Sequence, residues 1–266
     1  MSLGEIESAG TEVVGDPLFI LGCVRSGTTL VRNLLRRQPA TVCPEETHYF
    51  RFGDPFRTDA HTRILMDADT LILHRQMDGL SEEQFRALHS RATTRGELMR
   101  AHVHLLARQR GLERFRWADK TPQNIYGLAM IRAEFPEARF LHLVRNPLNV
   151  VASLKLGKVL KVEDPVGACN YWREAVAIVE QFRPLLGDAL LELRYEDLIE
   201  DVPGQMARIL RFAGFVPARA CYGPGDAHPE QEQHRWALTD AERDTVRRIC
   251  GQAAAAYGYD LGESLR

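Results

Sequence analysis

The chain has 266 residues, 45% hydrophobic and 26% charged, which is enough apolar sequence for a folded core and excludes a disordered chain. A net charge of −2 does not favour a nucleic-acid or anionic-membrane surface, and no apolar run reaches the roughly 18 residues of a membrane span. Five cysteines without CxxC or Cys/His spacing favour neither a disulfide framework nor a zinc site. We expect a cytoplasmic protein with reduced thiols, no metal, and a flexible N-terminus over residues 1–16.

Short apolar runs alternate with segments of helical period along much of the chain. The first run, 18–22, leads into a glycine-bearing turn and a helix to residue 37, and further runs follow at 115–118, 140–144 and 190–193. This alternation predicts a parallel sheet with helices on its faces. We expect one α/β domain spanning 1–266, with a central sheet like that of P-loop nucleotide kinases.

Two regions depart from that alternation. Residues 51–114 have helical period only, with capping signals at Ser81 and Thr94, and predict a helical insert over the C-terminal edge of the sheet, where ligands bind. Residues 219–236 are rich in Gly, Pro, His and charge and predict a loop near the cofactor. Between them, a long helix is expected to begin at Pro165 and to end at Pro184.

The turn after the first strand predicts an anion site. Residues 22–29 have the glycine spacing of a nucleoside-triphosphate loop, but Thr28 stands where that motif requires lysine, which argues against triphosphate chemistry. The backbone N–H groups of Ser26 to Thr29 would still converge at a helix N-terminus, and Arg25 adds a forked positive charge. A glycine turn without a ligand is the alternative.

Three segments resemble the sulfotransferase family. Arg25 followed by Ser-Gly-Thr-Thr resembles its 5′-phosphosulfate loop, Arg145 followed eight residues later by Ser153 resembles its 3′-phosphate site, and Tyr195 in the segment Arg-Tyr-Glu-Asp-Leu resembles the tyrosine beside the adenine. The resemblance implies 3′-phosphoadenosine 5′-phosphosulfate as donor, adenosine 3′,5′-bisphosphate as product and no required metal. It assigns the donor to Arg25, Ser26, Gly27, Thr28, Thr29, Arg145, Ser153 and Tyr195.

Two further segments resemble the tyrosylprotein sulfotransferases. In Cys43-x-Glu45-Glu46-Thr47 the first glutamate corresponds to their general base, and Asp119-Lys120-Thr121-Pro122 resembles their lysine segment. The resemblance therefore implies Glu45 as the base, with Lys120 and Arg25 stabilising the leaving group. His48 is the rival base, because the imidazole pKa suits proton transfer near neutrality. An exposed acidic turn is the non-catalytic alternative for the glutamate pair.

The implied function is sulfuryl transfer to a hydroxyl or amine of a small-molecule, glycan or peptide acceptor. A nucleotide or small-molecule kinase with a degenerate loop is one alternative, and Asp119 would then be its magnesium ligand. A non-catalytic nucleotide-binding module is another. Phe52 and Phe56 follow the candidate base in a segment without helix or strand period, so we expect them to line the acceptor pocket. The sequence predicts neither the acceptor nor the oligomeric state.

Overall fold

Six parallel strands form one sheet at the centre of the computed structural model, which describes residues 10–158, 160–215 and 222–262. The strands are β1 (Glu12–Val13), β2 (Leu18–Gly22), β3 (Thr41–Val42), β4 (Arg114–Lys120), β5 (Arg139–Val144) and β6 (Leu190–Arg194). Their order is β1-β4-β2-β5-β6, with β3 paired to β4. The predicted α/β class and parallel sheet are confirmed.

Twelve α-helices accompany these strands within the described ranges. They are α1 (Thr28–Leu35), α2 (Asp59–Asp67), α3 (Asp69–Met77), α4 (Glu82–Arg91), α5 (Arg95–Gln109), α6 (Leu128–Glu134), α7 (Pro147–Lys155), α8 (Pro165–Leu186), α9 (Tyr195–Glu200), α10 (Val202–Phe212), α11 (His234–Ala237) and α12 (Asp240–Ala256). Short 3-10 turns occupy Pro122–Gly127, Gly187–Ala189 and Pro224–Asp226. Among the helices described, none is both long enough and apolar enough to span a membrane.

The predicted end of the long helix is wrong by two residues. Pro184 lies inside α8, which continues to Leu186 and ends at Gly187 in a positive-φ conformation, at φ 48°. A proline removes one backbone donor, and the helix continues for only two residues beyond it. The predicted N-terminal caps at Ser81 and Thr94 were correct: each accepts a hydrogen bond from a backbone N–H in the first turn of its helix.

Strand β2 is buried on both faces, which explains its continuous apolar sequence. Leu18 and Ile20 belong to one apolar cluster with residues of α1 and α10, while Phe19 and Leu21 belong to a second cluster on the opposite face. The ring of Phe19 lies 5.6 Å from that of Trp117 on β4 and 6.0 Å from that of Phe140 on β5. Packing on both faces fixes the end of β2, from which the predicted anion-binding turn begins.

Candidate active site

The turn between β2 and α1 is built to bind an anion. Gly27 is the N-cap of α1 at φ 90°, it provides no side-chain cap, and the first turn of the helix contains no acidic residue. The first N–H groups of an α-helix have no partner inside the helix, so they remain available to a ligand. Ser26 is fully buried, and its Oγ has no hydrogen-bond partner in the described part of the chain.

The ring of Tyr195 lies directly against this turn. A Cβ atom placed on Gly27 would lie 2.2 Å from Tyr195 Cδ2, much closer than any van der Waals contact. The guanidinium carbon of Arg145 lies 4.7 Å from the centroid of the same ring. Glycine is therefore required at position 27 for two reasons, its positive φ and the aromatic ring beside it.

The two predicted phosphate arginines are joined through one chain of contacts. Arg25 Nε donates to Ser153 Oγ at 2.9 Å, and Arg145 Nη1 donates to the backbone carbonyl of Arg25 at 2.9 Å. The Trp172 indole N–H donates to the carbonyl of Arg145 at 2.8 Å and helps to hold the end of β5. These contacts connect the turn after β2, which carries Arg25, to the end of β5, which carries Arg145.

Arg145 also forms a bidentate pair with Glu230, at 2.8 Å from Nε and 2.6 Å from Nη2. Glu230 belongs to the segment predicted as a loop over 219–236. Residues 219–221 lie outside the described residues, and the remainder contains the 3-10 turn at Pro224–Asp226 and the start of α11. The loop prediction is therefore corrected at the 3-10 turn and at the first residues of α11. Asp226 caps the 3-10 turn by accepting from the N–H of Gly223 at 2.7 Å.

Lys120, Glu46 and His48 meet beside the anion-binding turn. Lys120 Nζ donates to Glu46 Oε1 and lies 3.3 Å from Thr29 Oγ1, and His48 Nε2 lies 3.4 Å from Glu46 Oε2. Burial acts to raise the pKa of Glu46, but His48 and Lys120 outweigh it and lower that pKa to about 2. Burial lowers the pKa of His48 below its usual 6.5, against the opposing effect of Glu46.

Glu45, which the resemblance assigned as base, faces away from this group. Its carboxylate pairs with Arg32 and with Arg36 Nη1, the latter at 2.9 Å, and its N–H donates to Asp78. Burial would raise the pKa of Glu45, but the two arginines outweigh it and lower the pKa. The chain bends at Glu45, after β3, and places Glu46 in the cleft while Glu45 points towards the arginines at α1.

Asp119 organises the corner behind Lys120. It accepts hydrogen bonds from Thr47 Oγ1 at 2.9 Å, from Asn124 Nδ2 at 2.7 Å and from Thr121 Oγ1 at 3.3 Å. The residue is 1% exposed and does not line the cleft beside the anion-binding turn. Its oxygens are occupied by the protein itself, which does not suit the magnesium role that the kinase alternative requires.

A cleft of about 440 Å³ connects these groups. Its lining includes the predicted residues Arg25, Gly27, Thr28, Thr29, His48 and Arg145. It also includes residues that the sequence interpretation did not select, namely Glu46, Arg51, Thr70 and Gln123. Position alone could have indicated Gln123, because it follows β4 at the same edge of the sheet as the other strand ends.

Neither of the two phenylalanines predicted for the acceptor pocket lines this cleft. The ring of Phe56 packs against His61 at 5.2 Å and His89 at 5.3 Å, within the helical segment. The Arg51 guanidinium lies over the ring of Phe52 at 5.0 Å. The absence of a helix or strand period marked these rings as loop residues, but the histidines of α2 and α4 provide packing partners for Phe56 that no local pattern shows.

A sequence profile of the sulfotransferase family matches residues 17–216. The chain belongs to this family. It is 26% identical to Omega-hydroxy-beta-dihydromenaquinone-9 sulfotransferase Stf3 of Mycobacterium tuberculosis, over 95% of this chain and 77% of that protein. It is also 26% identical to protein-tyrosine sulfotransferase A of Caenorhabditis elegans, over 73% of this chain and 49% of that protein.

Solved sulfotransferase structures share the fold of this family member. The sulfotransferase domain from the Synechococcus PCC 7002 olefin synthase superposes with a TM-score of 0.69 at 23% identity, covering 94% of this chain and 98% of that domain. The sulfotransferase domain from the curacin biosynthetic pathway superposes with a TM-score of 0.61 at 17% identity, over 94% and 100% of the two chains. The expected family and fold are confirmed, and the chain is a sulfotransferase.

Proposed function

We propose that this sulfotransferase takes its sulfuryl group from 3′-phosphoadenosine 5′-phosphosulfate and transfers it to a hydroxyl or amine of an acceptor. The observation that carries the proposal is the contact chain from Ser153 through Arg25 to Arg145, which joins two cationic corners at neighbouring strand ends. A nucleotide with anionic groups on both its 5′ and 3′ sides matches two such corners. A nucleoside triphosphate carries its charge on the 5′ side alone.

In this proposal the turn from Arg25 to Thr29 binds the 5′-phosphosulfate, and Arg145 with Ser153 binds the 3′-phosphate. Two features of the turn support the fit. Ser26 Oγ is a buried polar atom without a partner in the described chain, and such atoms are costly unless a ligand or water satisfies them. Gly27 allows the Tyr195 ring to pack against the turn, which any side chain at position 27 would prevent. Tyr195 offers an aromatic face for the adenine.

The donor supplies an activated sulfuryl group whose bridging oxygen gains negative charge as its bond to sulfur breaks. Lys120 is the residue we assign to that charge, because its ammonium group lies within 3.3 Å of Thr29 Oγ1 at the start of α1. Arg25 adds a second cation at the same turn. Cations already positioned where charge develops stabilise a transition state without reorganising.

We assign the general base to Glu46 rather than Glu45. Glu46 lines the cleft beside Lys120 and His48. Glu45 is held by Arg32 of α1 and by Arg36, which directly follows that helix. When Lys120 turns towards the leaving group, Glu46 loses a cationic partner that keeps its pKa low, and the carboxylate becomes a better proton acceptor. His48, which burial favours in its neutral form, stays beside Glu46 and holds its orientation.

The acceptor belongs to the class of small molecules, glycans or peptides that present a hydroxyl or amine. By their names, the two relatives act on an omega-hydroxy-dihydromenaquinone and on protein tyrosine. Those acceptors differ widely although both relatives are 26% identical to this chain, so neither is transferred to it. The cleft offers Arg51 and Thr70 from the helical insert and Gln123 from the turn after β4.

Isothermal titration calorimetry tests the donor proposal directly. We expect adenosine 3′,5′-bisphosphate to bind more tightly than 5′-AMP and than ATP with magnesium. Arg145→Ala should weaken bisphosphate binding by roughly 10- to 100-fold, because it removes a charge-assisted forked contact. Arg139→Ala is the matched control, since Arg139 lies at the other end of β5 and pairs with Asp16. Equal wild-type affinity for bisphosphate and 5′-AMP would contradict the proposal.

A further inference from the structure

The fork of Arg145 is filled by a carboxylate of the chain itself. Both oxygens of Glu230 accept from the guanidinium, and the two side chains are only 13% and 14% exposed. A planar pair of oxygens on two parallel N–H donors is also how arginine binds a phosphate. The carboxylate therefore occupies the positions that two oxygens of a phosphate on Arg145 would take.

Glu230 lies in a segment whose two ends are attached to different helices. We call residues 222–233 the strap. At its beginning Tyr222 OH donates to the carbonyl of Leu34 at 3.0 Å, and Asp226 pairs with Arg37 at 2.6 Å, both beside α1. Directly after its end, His234 Nδ1 shares a hydrogen bond of 2.7 Å with Asn149 on α7. The strap thus connects the helix after the 5′-side turn to the helix after Arg145, with Glu230 between its anchors.

We propose that Glu230 competes with the 3′-phosphate of the donor for Arg145, so that nucleotide binding exchanges the carboxylate for the phosphate and releases the middle of the strap. The inference rests on the proposed function, because it takes the 3′-phosphate to bind at Arg145. The exchange breaks no covalent bond. It replaces a monoanion of the protein by a phosphate dianion of the ligand.

Two anions cannot share one guanidinium fork without strong repulsion. The phosphate has three oxygens and twice the charge, so it can displace the carboxylate, and Ser153 offers it a hydroxyl beside Arg25. A nucleotide without a 3′-phosphate has nothing to displace Glu230 with. The competing carboxylate therefore weakens the binding of 3′-phosphorylated nucleotides and leaves other nucleotides unaffected.

A second carboxylate near Arg145 does not take this role. Glu196 Oε1 accepts from the N–H of Asn146 at 3.0 Å, and its Oε2 accepts from Tyr259 OH at 2.6 Å. These bonds hold Glu196 against the end of β5 and away from the guanidinium fork. Glu230, in contrast, is attached to the rest of the chain only through the irregular strap.

The consequence for turnover concerns the release of the product. Donor and product both carry the 3′-phosphate, so a carboxylate beside Arg145 weakens the binding of both and speeds the dissociation of the product. Product release is the slow step in many enzymes, and affinity differences between related complexes are expressed mainly in dissociation rates. Removal of the carboxylate should therefore tighten the bisphosphate and slow its dissociation.

The test compares Glu230→Gln with Glu232→Gln in the full chain. The first substitution keeps the shape of the side chain and removes its charge. The second is a matched control, because Glu232 lies two residues away on the same segment and pairs with Arg235 at the surface. Calorimetry with adenosine 3′,5′-bisphosphate and with 5′-AMP gives the affinities, and stopped-flow chase experiments give the bisphosphate dissociation rate.

We expect Glu230→Gln to bind the bisphosphate about tenfold more tightly, the order of change expected when a competing charge-assisted pair is lost. Dissociation should slow, while 5′-AMP affinity and the Glu232→Gln protein stay at wild-type values. If the wild type prefers the bisphosphate over 5′-AMP and Glu230→Gln leaves that preference unchanged or reduces it, this inference alone is overturned. If neither protein prefers the bisphosphate over 5′-AMP, the proposed donor site is overturned as well.

Discussion

Lys120 Nζ donates to Glu46 Oε1 and lies 3.3 Å from Thr29 Oγ1, so a single cation links the acidic segment after β3 to the anion-binding turn after β2. Lys120 is 1% exposed, and a buried ammonium is stable only when it is paired. A donor bound at the turn would offer a second anion to the same lysine. The pair therefore couples occupation of the donor site to the state of the carboxylate that we assign as base.

The first prediction concerns that carboxylate. Glu46→Gln should retain bisphosphate binding and lower the rate of sulfuryl transfer by about 10²- to 10⁴-fold, the usual cost of losing a general base. Glu45→Gln is the matched control: it should keep its turnover but lose stability, because it removes the charge that Arg32 and Arg36 compensate. Single-turnover assays and denaturant unfolding separate the two effects. A folded but inactive Glu45→Gln protein beside an active Glu46→Gln protein would restore the assignment based on resemblance.

The choice between these two glutamates marks the limit of what the sequence predicts. The four longer strands, β2, β4, β5 and β6, were predictable from apolar runs such as residues 18–22, and the motifs at their ends followed from them. The two-residue strands β1 and β3 carry no such run. Which glutamate faces the cleft depends instead on the direction in which the segment leaves β3. The relevant signal was present but non-local: Arg32 and Arg36 are four residues apart on one face of α1 and together attract Glu45.

The contact between Glu230 and Arg145 was unpredictable for a similar reason. The two residues are 85 positions apart, and the strap has no period that fixes its path. A charge-rich loop shows that a carboxylate is available, but only its anchors on α1 and α7 determine which arginine it meets. Phe56 illustrates the opposite case, in which an apparent loop residue is held by packing against His61 and His89.

The second prediction tests the requirement for glycine at position 27 of the turn. Gly27→Ala should abolish bisphosphate binding, because the new Cβ would lie 2.2 Å from Tyr195 Cδ2 and the backbone has φ 90°. Gly53→Ala is the matched control, since a Cβ there meets no atom within 4 Å. Adding Tyr195→Ala to Gly27→Ala removes the clash, but it leaves the backbone strain and removes the aromatic face proposed for the adenine, so binding should recover only in part. Full bisphosphate binding by the single Gly27→Ala protein, measured by calorimetry, would show that glycine is not required at this position.

The remaining prediction follows from Asp119, the carboxylate behind Lys120. Burial raises its pKa from 3.8 to about 7, against the hydrogen bonds from Thr47 and Thr121 and the charge of Lys120, which act to lower it. The folded protein therefore binds this proton more tightly than the unfolded chain does. Between pH 4 and pH 7, as these two pKa values define the range, the folded state holds the proton and the unfolded state has lost it.

In that range the contribution of Asp119 to the free energy of unfolding should fall as the pH rises, by at most about 1.4 kcal/mol per pH unit, and should level off above pH 7. Asp119→Asn carries no titrating proton, so any loss from its altered hydrogen bonds is independent of pH. Denaturant unfolding of both proteins across this range isolates Asp119, because shifts at other carboxyls such as Asp78 cancel in the difference. The advantage of the wild type over Asp119→Asn should shrink with rising pH. A difference that stays constant or grows would show that the three donors around Asp119 hold it ionised, with its pKa near or below the ordinary value.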